Sequence, residues 1–179
     1  MGWSFKVHGG VAAGLGAVLL VLAGLTWLPG ALPPAKAGWL PALIAVLFFP
    51  IVISAVVRLF LARVDKSSAW QAFRCLPGRV QTGLAVLALS GVVMTFLGKG
   101  QEGNLQAVEV KDGRYFAFDT TPHARGTVEL FSHEQYRAVL EADQRIMLTV
   151  SGVLFVGAAY AVLVAGELRR ADRGVVSSK

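Results

Sequence analysis

Four long apolar runs limit what this chain can become. They are "GGVAAGLGAVLLVLAGLTWL" (Gly9–Leu28), "WLPALIAVLFFPIVISAVVRLFL" (Trp39–Leu61), "VQTGLAVLALSGVVMTFL" (Val80–Leu97) and "IMLTVSGVLFVGAAYAVLVA" (Ile146–Ala165). A helix rising about 1.5 Å per residue needs about 20 residues to cross the hydrocarbon core of a bilayer. All four runs meet that length, the third being the shortest. Only 16% of the residues are charged and the mean hydropathy is +0.60, whereas a soluble domain carries about a quarter charged residues. The expected fold class is therefore an α-helical integral membrane protein. Four transmembrane helices form a bundle in the lipid bilayer, and a small extracytoplasmic β-hairpin or meander sits between the third and fourth.

The spacing divides the chain into stretches with different tasks. Residues 1–98 hold the first three spans and, at 64–79, an amphipathic link. Residues 99–132 form the polar β-module. Residues 133–168 form one long helix that continues into the fourth span, and 169–179 form a basic tail. In the link, Trp70, Phe73 and Leu76 fall on one helical face, with Ser67 or Ser68 as N-cap and Pro77-Gly78 as the stop. Pro50 interrupts the second run and predicts a bend. An alternative reading makes residues 1–37 a signal peptide ending in Ala35-Lys36-Ala37, but the apolar run is longer than a usual signal core. A retained span is the reading adopted.

Charge sets the orientation. The link between runs two and three holds Arg58, Arg63, Lys66, Arg74 and Arg79 against Asp65, while the link between runs one and two holds only Lys36. The positive-inside rule then places both termini and the middle link in the cytoplasm of a cell membrane. On that assignment the inner side has ten basic and three acidic residues, the outer side seven basic and eight acidic, leaving +7 and −1 of the total +6. Trp3 and Trp70 fall at the inner boundary, Trp27 and Trp39 at the outer one, as in an aromatic belt. The basic residues form no patch, so nucleic acid is not expected as a partner. An Ala/Gly/Val/Leu-rich chain that favours Arg over Lys and contains one Asn has the composition of a bacterial protein.

The polar stretch "LQAVEVKDGRYFAFDTTPHARGTVELFSHEQYR" carries the local signals. "LQAVEV", "KDG" and "RYFAFD" read as strand, turn and strand, and "TVELF" as a third strand. A lone hairpin is marginal in water, so the Phe116/Phe118 face should need cover. In "FSHEQY", Ser132 and Gln135 have capping-box spacing, and Phe131 and Tyr136 stand at the staple positions. With no Gly or Pro between Ser132 and Gly152, a helix should run unbroken from His133 to Leu168, with the strands packed on its Tyr136/Val139/Leu140 side.

Chemistry is sparse. His123, His133, Asp119, Glu129 and Glu134 share the module without any metal-ligand spacing, and "HEQYR" fails as a zincin motif at Arg137. No nucleophile elbow or phosphate loop occurs, and the runs carry no charge or histidine at mid-depth, where ion pathways need them. No enzyme, cofactor or metal is expected. Small residues at four-residue spacing (Gly10 and Gly14; Ala12 and Gly16; Gly157, Ala161 and Ala165) let helices approach closely, within the bundle or against another copy. The expected role is non-enzymatic: an accessory, interaction or protective subunit docking a membrane-protein partner through Tyr115, Phe116, Phe118, His123, Phe131 and Tyr136. The alternative is a small oligomeric transporter or channel. The orientation predicts that Cys75 resists a membrane-impermeant maleimide applied to intact cells; ready labelling would reverse it.

Overall fold

A computed structural model describes residues 2–28, 39–62, 65–99 and 104–176. The chain order is α1 (Trp3–Leu25), α2 (Trp39–Leu61), α3 (Lys66–Arg74), α4 (Gly78–Lys99), β1 (Leu105–Lys111), β2 (Arg114–Asp119), β3 (Gly126–Leu130) and α5 (His133–Val176). Four of these helices, α1, α2, α4 and α5, are long and apolar enough to cross a membrane. The Ala35-Lys36-Ala37 sequence and Arg63 lie outside the described residues.

The 44 residues of α5 form the axis, about 66 Å long at 1.5 Å per residue. Each of the other helices packs against it, α1 most extensively. Two apolar clusters fill the bundle. One joins Ala12, Leu20, Ala55, Leu84 and Val162; the other joins Leu19, Ala23, Leu40, Leu148 and Phe155. The start of α1 meets the end of α5 where Arg169 lies over Phe5, and the end of α1 meets Arg145. The two helices are therefore antiparallel, and the bundle has a termini end and a sheet end.

Glycine decides how closely α1 approaches α5. A Cβ built on Gly16 would lie 2.8 Å from Val156 Cγ2 and 3.0 Å from the Gly152 carbonyl, and one on Gly152 would lie 2.9 Å from Leu20 Cγ. Real side chains do not tolerate such separations, so the pair permits near backbone contact. Ala12, at four-residue spacing from Gly16, is fully buried, as is Ala165, and Ala161 is buried too. Gly10, Gly14 and Gly157 have nothing within 4 Å of a built Cβ. The close crossing thus does not use the Gly10/Gly14 stripe. A shift of two residues along α1 turns the facing surface by more than half a turn.

Two other expectations change. The helices extend further at the termini end, so Lys6 and His8 belong to α1, and Arg169 and Arg170, beyond the expected end at Leu168, to α5. Backbone hydrogen bonding continues where apolar composition stops, because polar side chains with good helix propensity do not end a helix. The N-cap of α3 is Asp65, not Ser67 or Ser68. Its carboxylate accepts the Ser68 N–H at 2.8 Å and Ser68 Oγ returns to the Asp65 backbone, forming a capping box. As expected of a single span over Trp39–Leu61, α2 passes through Pro50 without ending.

The glycine crossing generates a stability prediction. Gly16→Leu or Gly152→Leu should destabilise the fold by about 1–3 kcal/mol or more through overpacking. Gly14→Ala should leave it unchanged or slightly more stable, since Ala exceeds Gly in helix propensity by about 1 kcal/mol. Thermal unfolding in mild detergent measures both, and equal melting of all three variants would refute the assigned crossing.

Candidate functional site

The sheet is antiparallel with order β1-β2-β3. Gly113, at φ 75°, and Asp112, at φ 50°, make the β1–β2 turn, a backbone shape that favours Gly and Asp. The pairing steps from Gln106↔Phe118 to Glu109↔Phe116, so β1 has one more residue than β2 between those pairs. This bulge puts Ala107 at φ 50°, a costly conformation for alanine. It also turns the Ala107 N–H out of the ladder toward α5, where it donates to Asp143 Oδ2 at 2.8 Å. A charge-assisted hydrogen bond offsets part of the strain and pins the sheet to the helix.

The two faces of β2 then differ in role. Tyr115 and Ala117 pair with Leu130 and Val128 of β3. Ala117 is 1% exposed and Leu130 is buried. Tyr115 packs on Tyr136, ring centroids 4.9 Å apart, and on His133 at 5.6 Å. The covered face is therefore Tyr115/Ala117, not Phe116/Phe118. Alternation along the strand sends the two phenylalanines to the opposite face, and the small Ala117 lets that side of the sheet lie close to the helix. Phe116 and Phe118 pair with Glu129 and Thr127 on the outer face, where Phe118 is 43% exposed.

At the head of α5, Ser132 Oγ accepts the Gln135 N–H at 3.2 Å. Gln135 Oε1 reaches back to the N–H of Phe131, one residue before the N-cap, at 3.0 Å. The Phe131 ring takes no part in a hydrophobic staple: it is 96% exposed, and Tyr136 has turned to Tyr115. His123 lies exposed in the β2–β3 turn, where Ala124 N–H donates to the Thr121 carbonyl. The Thr121 hydroxyl, and then its N–H, hold the Asp119 carboxyl below the usual carboxylate range. Of the six residues singled out for docking, Tyr115 and Tyr136 form the seam between sheet and helix. Phe116, Phe118, Phe131 and His123 remain outside that seam. Among the described residues no three His, Cys, Asp or Glu side chains converge as metal ligands.

Arg145 joins α5 to the end of α1. Its Nε donates to Thr26 Oγ1 at 3.0 Å, its Nη2 to the Thr26 carbonyl at 3.2 Å, and its guanidinium lies 4.4 Å from the Trp27 ring centre. A cation at the carbonyl end of a helix is favourable, and the Trp face adds cation–π attraction. Asp143 and Arg145 thus each hold a different element, one the sheet and the other α1.

The termini end contains polar groups that the apolar runs obscure. His8 Nε2 lies 3.2 Å from the Ile51 carbonyl, which accepts the ring proton, and Ser54 Oγ lies 3.3 Å from the ring. One helical turn on, Arg58 Nη2 donates to Ser4 Oγ at 2.9 Å, and its guanidinium lies 4.6 Å from the Phe5 ring centre. Arg169 lies 5.6 Å from the same ring. Ser4, Phe5, Ser54, Arg58 and Arg169 border a groove of about 500 Å³ that continues along Pro50, Ile53, Val57 and Leu61. A larger cavity of about 880 Å³ opens between α1, α4 and α5; apart from Lys6, Glu167, Arg170 and Cys75 its lining is apolar or glycine. The spacing Ser4/His8 on one helix and Ser54/Arg58 on another, both i,i+4, was available as a sequence signal. Their pairing across helices was not.

Compared with known protein families, with curated proteins and with solved structures, the chain matches none.

Arg145→Ala should lower stability by about 1.5–3 kcal/mol, the range for hydrogen bonds to charged groups. Asp143→Ala should instead speed hydrogen exchange of the Ala107 amide and leave the melting of the helices nearly unchanged. The reverse pattern would show that the two residues do not have these separate attachments.

Proposed function

We propose that the protein is a multi-pass membrane protein whose sheet module docks another protein outside the bilayer, as a non-enzymatic accessory or protective subunit. The outer surfaces of the long helices support the membrane setting. Val18, Val21, Val46, Phe49, Phe60, Val86, Leu89 and Phe96 are all exposed, a breadth of apolar surface that water disfavours and lipid accepts.

The observation that carries the docking reading is Phe131. A phenylalanine 96% exposed stands on a backbone fixed by Gln135. It precedes α5 by two residues, and the 12 residue steps from His133 to Arg145 advance about 18 Å. If Arg145, at the end of α1, marks the bilayer boundary, the ring stands too far out to insert in the host membrane. An aromatic anchor held in place beside a polar rim is the composition of a protein-binding surface. Phe118, on the outer sheet face, is the second anchor. The seam on α5 supports both at little further cost in entropy on binding.

A photo-crosslinking residue at position 131 should trap one discrete protein partner in intact cells. Phe118→Ser combined with Phe131→Ser should reduce co-purification of that partner at least tenfold without lowering the melting temperature. A protein that always runs alone, or unchanged capture by the double variant, would refute docking.

A further inference from the structure

We propose that the groove between α1, α2 and the end of α5 binds an anionic phospholipid, its phosphate held by Arg58 and Arg169 and an acyl chain lying along Val57, Ile53 and Pro50. This rests on the membrane reading above.

Both guanidinium groups lie against one ring, Phe5, at 4.6 and 5.6 Å from its centre. None of the ion pairs among the described residues uses either arginine. Two neighbouring cations, with no carboxylate paired to either among the described residues, repel each other and attract an anion. Arg58 adds a more specific demand: its Nη1 is buried and has no hydrogen-bond partner. A buried donor left unmade is costly, more so when charged. Phosphate oxygens suit the guanidinium fork in charge and geometry, and the Ser4 hydroxyl lies within the same groove.

The rest of the groove distinguishes a lipid from a free anion. From Arg58 the lining continues inward over Val57 and Ile53, which are 47% and 57% exposed, to Pro50. A soluble phosphate would leave that strip bare, whereas an acyl chain covers it. The position fits as well, because both arginines lie near the ends of their long helices, where a headgroup meets the hydrocarbon boundary. With two cations and no carboxylate among the described residues that line it, the groove offers a choline headgroup nothing for its quaternary ammonium. Phosphatidylglycerol should therefore bind in preference to phosphatidylcholine. The larger cavity carries Lys6 and Arg170, but there Arg170 already faces Glu167 at 3.7 Å, which makes it the weaker site for an anion.

The test uses the full chain in mild detergent, with native mass spectrometry and thermal unfolding in the presence of phosphatidylglycerol, phosphatidylcholine or inorganic phosphate. The wild type should retain phosphatidylglycerol and gain several degrees of melting temperature from it, with little effect of the other two. Arg58→Gln with Arg169→Gln should weaken phosphatidylglycerol binding at least tenfold, while Lys6→Gln with Arg170→Gln should not. Arg58→Lys keeps the charge without the fork and should give an intermediate loss, providing a second measure if the double variant fails to fold. Equal stabilisation by phosphatidylcholine and phosphatidylglycerol would overturn the proposal. So would inorganic phosphate acting as strongly as the lipid, or double-variant binding like wild type. Flotation with vesicles separates the two levels. Failure to float refutes the membrane reading itself; flotation without lipid preference refutes only the site.

Discussion

The fold depends on the continuity of α5. The helix packs with all of the other helices and all three strands, and its first turns lie beyond the reach of the bundle. An interruption near Gln144 would uncouple the sheet from the helices, because the links on either side arise from neighbouring residues. Asp143 takes the Ala107 N–H and Arg145 takes Thr26. A straight helix transmits position along its length because each peptide is tied to the fourth before it. The module is therefore held at a fixed height, although only short strands and a β-bulge build it.

The bulge has a matching role at the other side of that contact. Regular pairing through β1 would direct the Ala107 N–H along the sheet. The extra residue frees it for a carboxylate on a different element and places Ala107 in left-handed space. Local conformational cost and tertiary attachment occur at the same residue, as is common at sheet edges. The same register sends Tyr115 inward and Phe118 outward. It thereby separates residues that support the module from those on its open face.

The termini end follows a different logic. Polar groups there face one another between helices that look wholly apolar when read by composition. His8, Ser54 and Arg58 are each unremarkable in sequence, and two of them lie at or outside the margins of the apolar runs. Antiparallel packing brings the start of α1 beside the later part of α2. The Arg58 guanidinium then has an aromatic face and a serine, yet one buried N–H remains unmatched. Hydrogen-bond accounting, unlike hydropathy, detects that residue, which is why the proposed lipid site emerges from the structure alone.

Periodicity, capping spacing and turn chemistry determined the number and order of the long helices, the three strands, and the unbroken run from His133 into the last apolar segment. These are local properties, set by side chains within a few residues of one another. Tertiary structure decided which face of each element turns inward. Gly16 and Gly152 meet where the Gly10/Gly14 stripe does not. Tyr115 and Ala117 turn to the helix and Phe116 and Phe118 away from it, and Phe131 is exposed while Tyr136 turns to the sheet. Each of these depends on the position of a second element. A rotation of about 100° about a helix, or a step of one residue along a strand, exchanges the buried and exposed sets without altering the local signal.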